Sequence, residues 1–228
     1  QDTTTLFERT LQVTANNQMA HYVLATGLLK GGELEEAVQH LQEAVKINPT
    51  NSMAQSALGV ALVELGRAQE AQEPLEEAVR INPQDAHAHS GLGAMLLDQG
   101  RVDEALEHLE ASLRIRPQNA QTHYNLGVAL VEQGWVEAAI EHFDKALEID
   151  PELVDARRNL VFVLDQATEG YRRALQATPQ TAEMHNNLGV LLLRKGEVDE
   201  AFRHFSEALK TDPDYRSAQE NLDRIQSR

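Results

Sequence analysis

Eight of the nine histidines fall into four pairs, His21 with His40, His89 with His108, His123 with His142 and His185 with His204, and within each pair the spacing is 19 residues. The pairs recur, since His89 to His123 and His108 to His142 are both steps of 34 residues. Two neutral imidazoles on one ion would suit Zn²⁺ or Ni²⁺, which bind nitrogen at about 2 Å. Asparagine keeps the same period at Asn125 and Asn159 and again at Asn187 and Asn221. A primary amide offers two donors and one acceptor, so it can pair with both the N–H and the C=O of a peptide bond without reading side chains. Three residues further on stand the apolar Val128, Phe162 and Val190, and Arg158 and Arg194 add positive charge nearby. All of this is chemistry of binding. The sequence carries no Gly-rich phosphate loop, no nucleophile elbow, no HExxH and no cysteine, so the expectation is a non-catalytic chain without a cofactor.

The elements that must position these residues come as a repeated unit. Ala120 to Leu153 reads AQTHYNLGVALVEQGWVEAAIEHFDKALEIDPEL. Its spacing predicts two amphipathic helices, about Thr122 to Gln133 and about Glu137 to Ile149, with Gly134 between them and Pro151 stopping the second. At about 100° per residue, His123, Leu126, Gly127 and Leu130 share one stripe, and Ala139, Phe143 and Ala146 share another. The two stripes face each other in a helical hairpin. Gly127 and Ala139 are small where the axes come closest, and Phe143 fills the space beside them.

This unit resembles the tetratricopeptide repeat, or TPR, whose signature is Leu-Gly in the first helix, Ala and an aromatic in the second, and a closing Pro. The pattern falls on Leu126, Gly127, Leu130, Ala139, Phe143, Ala146 and Pro151, with His123 where an aromatic is usual and Leu130 where Tyr is usual. The resemblance implies an all-α fold, a right-handed TPR superhelix of antiparallel hairpins in one array. Its parts are an N-terminal half-repeat at 1–17, with Phe7 in the place of Phe143, repeats at 18–51, 52–85, 86–119, 120–153, 154–181 (shortened) and 182–215, and a C-terminal capping helix at 216–228. It further implies a protein–protein interaction scaffold that takes an extended peptide in its concave groove. Asn125, Asn159, Asn187 and Asn221 are similar to the asparagine ladder lining the groove of O-GlcNAc transferase, and the match is confined to those four positions. Val128, Phe162 and Val190 would then set side-chain preference, while Arg158 and Arg194 would favour acidic residues in the partner. The co-chaperone type of TPR is poorly matched, because Tyr22, Ser56, Ser90 and Tyr124 stand where its clamp lysine would be. A substrate-presenting arm of a glycosyltransferase or membrane protein, and a self-assembling array, stay open as alternatives.

Three features break the pattern. Pro74 sits inside a second helix, where it removes a backbone hydrogen bond and is expected to kink or shorten that helix at a cost of ~3 kcal/mol. Repeat 154–181 is six residues short, with 28 residues from Pro151 to Pro179 instead of 34. Aligning Leu160 with Leu126 and Ala167, Tyr171 and Ala174 with the second stripe puts the loss between Gln166 and Ala167, in the inter-helix turn. A distorted hairpin or an omitted loop is expected there. For the histidines, duplication of one ancestral unit with half-buried His in an aromatic slot is preferred over metal ligation. Neither Cys nor a clustered carboxylate completes a ligand set, and the two positions are expected not to be level across the hairpin. Trp135, in a turn, is a weaker candidate anchor for a partner.

A formal charge of −16 argues against nucleic acid and anionic membrane as partners. The charge is uneven, with 9 Lys and Arg against 23 Asp and Glu in residues 1–151, but 11 against 13 in residues 152–228. The absence of cysteine fits a reducing cytosol and a disulfide-free extracytoplasmic protein equally. Around Thr5 to Tyr22 the chain resembles the entry into TPR arrays of certain bacterial polytopic membrane proteins, which would put it outside the cytoplasm. No apolar run has the length of a membrane span.

Overall fold

In the computed structural model, the structure describes residues 17–177 and 181–227, and among them it has twelve helices and no strand. The reading of residues 1–16 as a half-repeat, with Phe7, lies outside the described residues. The chain forms two compact units, Gln1–Gln133 and Gly134–Arg228. The first contains α1 (Gln18–Gly31), α2 (Leu34–Ile47), α3 (Ser52–Glu64), α4 (Ala68–Ile81), α5 (Ala86–Asp98), α6 (Val102–Ile115) and α7 (Ala120–Glu132). The second contains α8 (Val136–Ile149), α9 (Val154–Ala177), α10 (Ala182–Arg194), α11 (Val198–Thr211) and α12 (Arg216–Gln226). No described helix is long and apolar enough to cross a membrane.

Local chemistry sets most of the helix ends. The first helix of a repeat opens on a side-chain cap: Asn51 accepts from the N–H groups of Met53 and Ala54, and Asp85 from those of His87 and Ala88. It closes on a left-handed glycine. Gly66, at φ 72°, donates to the Val63 carbonyl, and the next N–H, of Arg67, donates to the Leu62 carbonyl, which satisfies the end of α3 and turns the chain into α4. Gly32, Gly100, Gly134 and Gly196 repeat the left-handed conformation.

Within each unit the hairpins pack small against large. A Cβ added to Gly93 would come 2.5 Å from Cγ of Leu109, and one added to Gly189 would come 2.7 Å from the Phe205 ring. Leu109 and Phe205 are fully buried, so these glycines are contact points and not merely flexible residues. Pro74 leaves α4 at its full 14 residues, the same length as α2 and α6, so the expected shortening does not occur.

The expectation for repeat 154–181 is overturned. No turn exists between Gln166 and Ala167; α9 runs unbroken for 24 residues from Val154 to Ala177. The missing residues include the position of the left-handed glycine, and nothing between Asp165 and Glu169 stops a helix. Ala156, Val163, Leu164 and Thr168 are buried along one continuous stripe. α9 packs on both α8 and α10, and in its second half Tyr171 and Leu175 pack against the core of Leu188, Leu192, Ala201 and Phe205. One long helix thus stands where a hairpin was expected, and Val161, in the slot that four of the other repeats give to glycine and one to Ala25, is 54% exposed because no second helix covers it.

Candidate partner-binding face

In the C-terminal unit the amides are wired together. Asn221 Nδ2 on α12 donates to Asn186 Oδ1 on α10 at 3.1 Å, and Asn186 Nδ2 donates to Asn187 Oδ1 at 3.3 Å. Asn187 Nδ2 donates to the Tyr171 hydroxyl on α9 at 3.3 Å, and that hydroxyl donates to Glu137 Oε1 on α8 at 3.5 Å. Four helices therefore share one polar ribbon. Ion pairs tie α9 to the end of α10 and to α11: Lys195 reaches Asp165 and Glu197 at 2.9 Å each, and Arg172 reaches Glu200 at 2.9 Å.

Beside the ribbon is a hollow of about 200 Å³, floored by Ile140, Val190 and Leu191 and edged by Glu137, Glu141 and Arg194. Arg194 is bound to the Asp144 carboxylate. Burial pushes the Asp144 carboxyl up, with Arg194 pulling the other way. A second hollow on the far side of Val190 and Arg194 is bounded by Asn221, Val198 and Ile225.

Of the residues singled out from sequence, Asn187, Asn221, Val190 and Arg194 come together here. Asn159 is half-buried on α9, while Phe162, 58% exposed, and Arg158 lie on the same helix outside the hollow. Asn125, in the other unit, is buried and accepts from Gln121 Nε2 at 3.2 Å, and Val128 is half-buried one turn on. Arg158 pairs with Asp155 at 3.5 Å and Arg194 with Asp144, and the carboxylates of Glu137 and Glu141 edge the hollow. Asn186 and Tyr171 were missed. Asn186 is off the 34-residue period and Tyr171 reads as a packing residue; the Asn186–Asn187 doublet was the available signal. Trp135 is exposed at the N-cap of α8.

The histidine expectation is also corrected. Across three hairpins the paired rings are level: Nδ1 to Nδ1 is 3.0 Å for His21–His40, 3.0 Å for His89–His108 and 2.9 Å for His185–His204, with ring centroids 5.2 Å apart. His89 Nε2 lies 3.2 Å from the Pro83 carbonyl, which only accepts, so Nε2 carries the proton and Nδ1 offers a lone pair. His108 Nδ1 is then the donor. The same site serves as a tie between repeats. The residue six after the closing Pro donates to that Pro carbonyl whether it is Gln55, His89, His123 or Arg157. Where it has no imidazole, the partner 19 residues on is not His but Pro74 in one repeat, and Gly170 stands at the aligned place in α9. That explains why the two histidines occur together. Burial, then the partner ring, holds His21, His108 and His204 below the ordinary imidazole value, and burial does so for His185.

Family models described as tetratricopeptide repeat match residues 56–120, 96–153 and 164–223, and one described as TPR repeat matches 28–66. No curated protein matches the chain. Among solved structures, YrrB, "a TPR protein with an unusual peptide-binding site", is 18% identical with a TM-score of 0.53, covering 95% of this chain and 97% of its own. The pilF protein of Pseudomonas aeruginosa is 22% identical with a TM-score of 0.57, covering 91% and 97%. A thermophilic TPR protein of Thermus thermophilus, TTC0263, is 19% identical with a TM-score of 0.54, covering 93% and 100%. At these identities the likeness is one of fold. Repeats of this family are typically non-catalytic scaffolds that bind protein or peptide partners. With family models matching most of its length and paired helices closing on glycine turns, the chain belongs to the tetratricopeptide repeat family.

Proposed function

We propose that this chain is a non-catalytic interaction scaffold whose C-terminal unit takes an extended peptide segment along α10, beside Asn187 and Asn221. The observation that carries this is the amide and phenol ribbon running next to an apolar hollow. Asn187 uses one N–H on Tyr171 and one acceptor position on Asn186, which leaves a second N–H and a second lone pair for a peptide backbone. A hollow of about 200 Å³ has room for one side chain against Ile140, Val190 and Leu191, and Glu137 and Glu141 at its edge favour an uncharged or basic residue there. The peptide-binding site announced for YrrB is consistent with such a use of the fold. Asn159, Phe162 and Arg158 on α9 are proposed as further contacts of the same unit, and Asn125 and Val128 as peptide contacts of the N-terminal unit.

The test is selection of unstructured peptides from a display library on the immobilised chain. Enriched peptides should lose at least about ten-fold in affinity when Asn187→Ala, Asn221→Ala and Tyr171→Phe are combined, since each lost bond is worth about 0.5–1.5 kcal/mol. The exposed control Val154→Ser, outside the proposed contacts, should leave affinity unchanged. Equal affinity for the triple variant and the wild type, with helix content unchanged, would overturn the reading. The exposed Val161 and Phe162 on α9 favour a second reading, self-association through that helix. Under it, Phe162→Ser shifts the sedimentation coefficient and the ribbon variant does not.

A further inference from the structure

The histidine pairs form three separate sites, in addition to the peptide face. Each joins two helices of one hairpin: α1 with α2, α5 with α6, and α10 with α11. For an ion about 2.0–2.1 Å from each nitrogen, Nδ1 atoms 2.9–3.0 Å apart subtend about 90°. A tetrahedral ion needs roughly 3.3 Å between two such nitrogens and a linear one about 4 Å. The bite therefore selects cis positions of a square-planar or tetragonal ion, the geometry of Cu²⁺ and Ni²⁺, and the order of stabilities puts Cu²⁺ first.

The surroundings agree. His89 is held by the Pro83 carbonyl on its Nε2–H, with its Nδ1 lone pair presented, which is how a carbonyl behind a ligand histidine fixes tautomer and ring orientation. His108 opens onto a hollow of about 320 Å³ that also holds Glu76 and Glu104, and His204 onto one of about 450 Å³ with Glu200 and Glu207. Water can fill the remaining positions on the ion there. Among the described residues no group of three or more His, Cys, Asp and Glu is placed to hold one ion, so protein supplies two ligands per site.

We propose that the pairs His21–His40, His89–His108 and His185–His204 are cis bis-imidazole chelates for Cu²⁺, each binding one ion through two Nδ1 atoms and completing it with water. In the metal-free pair one Nδ1–H bridges the two rings. On binding, the donor ring keeps its proton but carries it on Nε2, and both Nδ1 lone pairs turn to an ion that lies to one side of the line between them.

The experiment titrates the full chain, stripped with a chelator, with a copper(II) salt alone near pH 7.5, reading calorimetric stoichiometry and the electron paramagnetic resonance spectrum. At least three equivalents should bind, with nitrogen hyperfine structure of two imidazoles. His40→Gln, His108→Gln and His204→Gln together should remove three equivalents. The Gln amide can replace the lost Nδ1–H, so the hairpins are kept. Conversely, Gln55→His with Pro74→His builds a new pair in the one first-unit hairpin that lacks it, and should add one equivalent. The proposal is overturned if the wild type binds fewer than three equivalents, if the triple variant keeps its stoichiometry, or if the folded grafted variant gains none.

Discussion

Two glycines in the same unit should respond to alanine with opposite signs. Gly170 lies in the interior of α9 with nothing within 4 Å of an added Cβ. Alanine there removes the helix penalty of glycine and reduces the freedom of the unfolded chain, so Gly170→Ala should stabilise by about 1 kcal/mol. Gly189→Ala gains the same propensity. Its Cβ, however, would stand 2.7, 2.9 and 2.9 Å from three ring atoms of Phe205, which is fully buried among Leu188, Leu192, Ala201 and Ala208. The ring must recede by roughly half an ångström to one ångström in a close-packed core, at a cost of about 1–3 kcal/mol, so the net change is a loss of about 0–2 kcal/mol. The two variants should differ by about 2 kcal/mol. Urea unfolding followed by circular dichroism reads the difference, with each midpoint compared at a common slope. Adding Phe205→Leu to Gly189→Ala should return part of the loss through a coupling term. If Gly189→Ala stabilises as much as Gly170→Ala, the close packing inferred for α10 and α11 is wrong. If Gly170→Ala destabilises, α9 is not a continuous helix at that point.

Two further outcomes are expected. His21, His108, His185 and His204 sit below their unfolded values, so the unfolded chain binds more protons; the stability they contribute is full above about pH 6.5 and falls as pH drops through that value. The groups facing them are His40 and Glu43 for His21, His89, Glu76, Glu104 and Glu107 for His108, His204 and Glu207 for His185, and His185, Glu200, Arg172 and Arg203 for His204. In metal-free buffer, unfolding free energy should decline from pH 7.5 to 5.5, and less steeply in the variant carrying His40→Gln, His108→Gln and His204→Gln; parallel profiles would refute this. Thr168, 1% exposed, has a hydroxyl with no partner among the described residues, so the near-isosteric Thr168→Val should stabilise by about 1 kcal/mol in the same urea assay, and a loss would mean that the hydroxyl is satisfied.

The amino-acid sequence by itself determined the period, the hairpins and most helix limits. Predicted helices at about Thr122–Gln133 and Glu137–Ile149 meet observed helices at Ala120–Glu132 and Val136–Ile149. These features are local: an Asn or Asp cap, a glycine that accepts positive φ, and an apolar stripe are each written within a few residues of where they act. The sequence also placed Asn187, Asn221, Val190 and Arg194 on one helix-face pattern, but not their partners. Tertiary structure decided what the 28-residue spacing means, because deleting a turn leaves two outcomes, a strained hairpin or a straight helix, and only packing of α9 against both α8 and α10 selects between them. It also decided that Arg194 is occupied by Asp144, 50 residues away. The contact of His89 with His108 depends on the rotation of two helices about their own axes, and spacing of 19 residues along the chain fixes neither rotation nor the distance between helices. Periodicity names the face a residue occupies; only the packed neighbour fixes what that face meets.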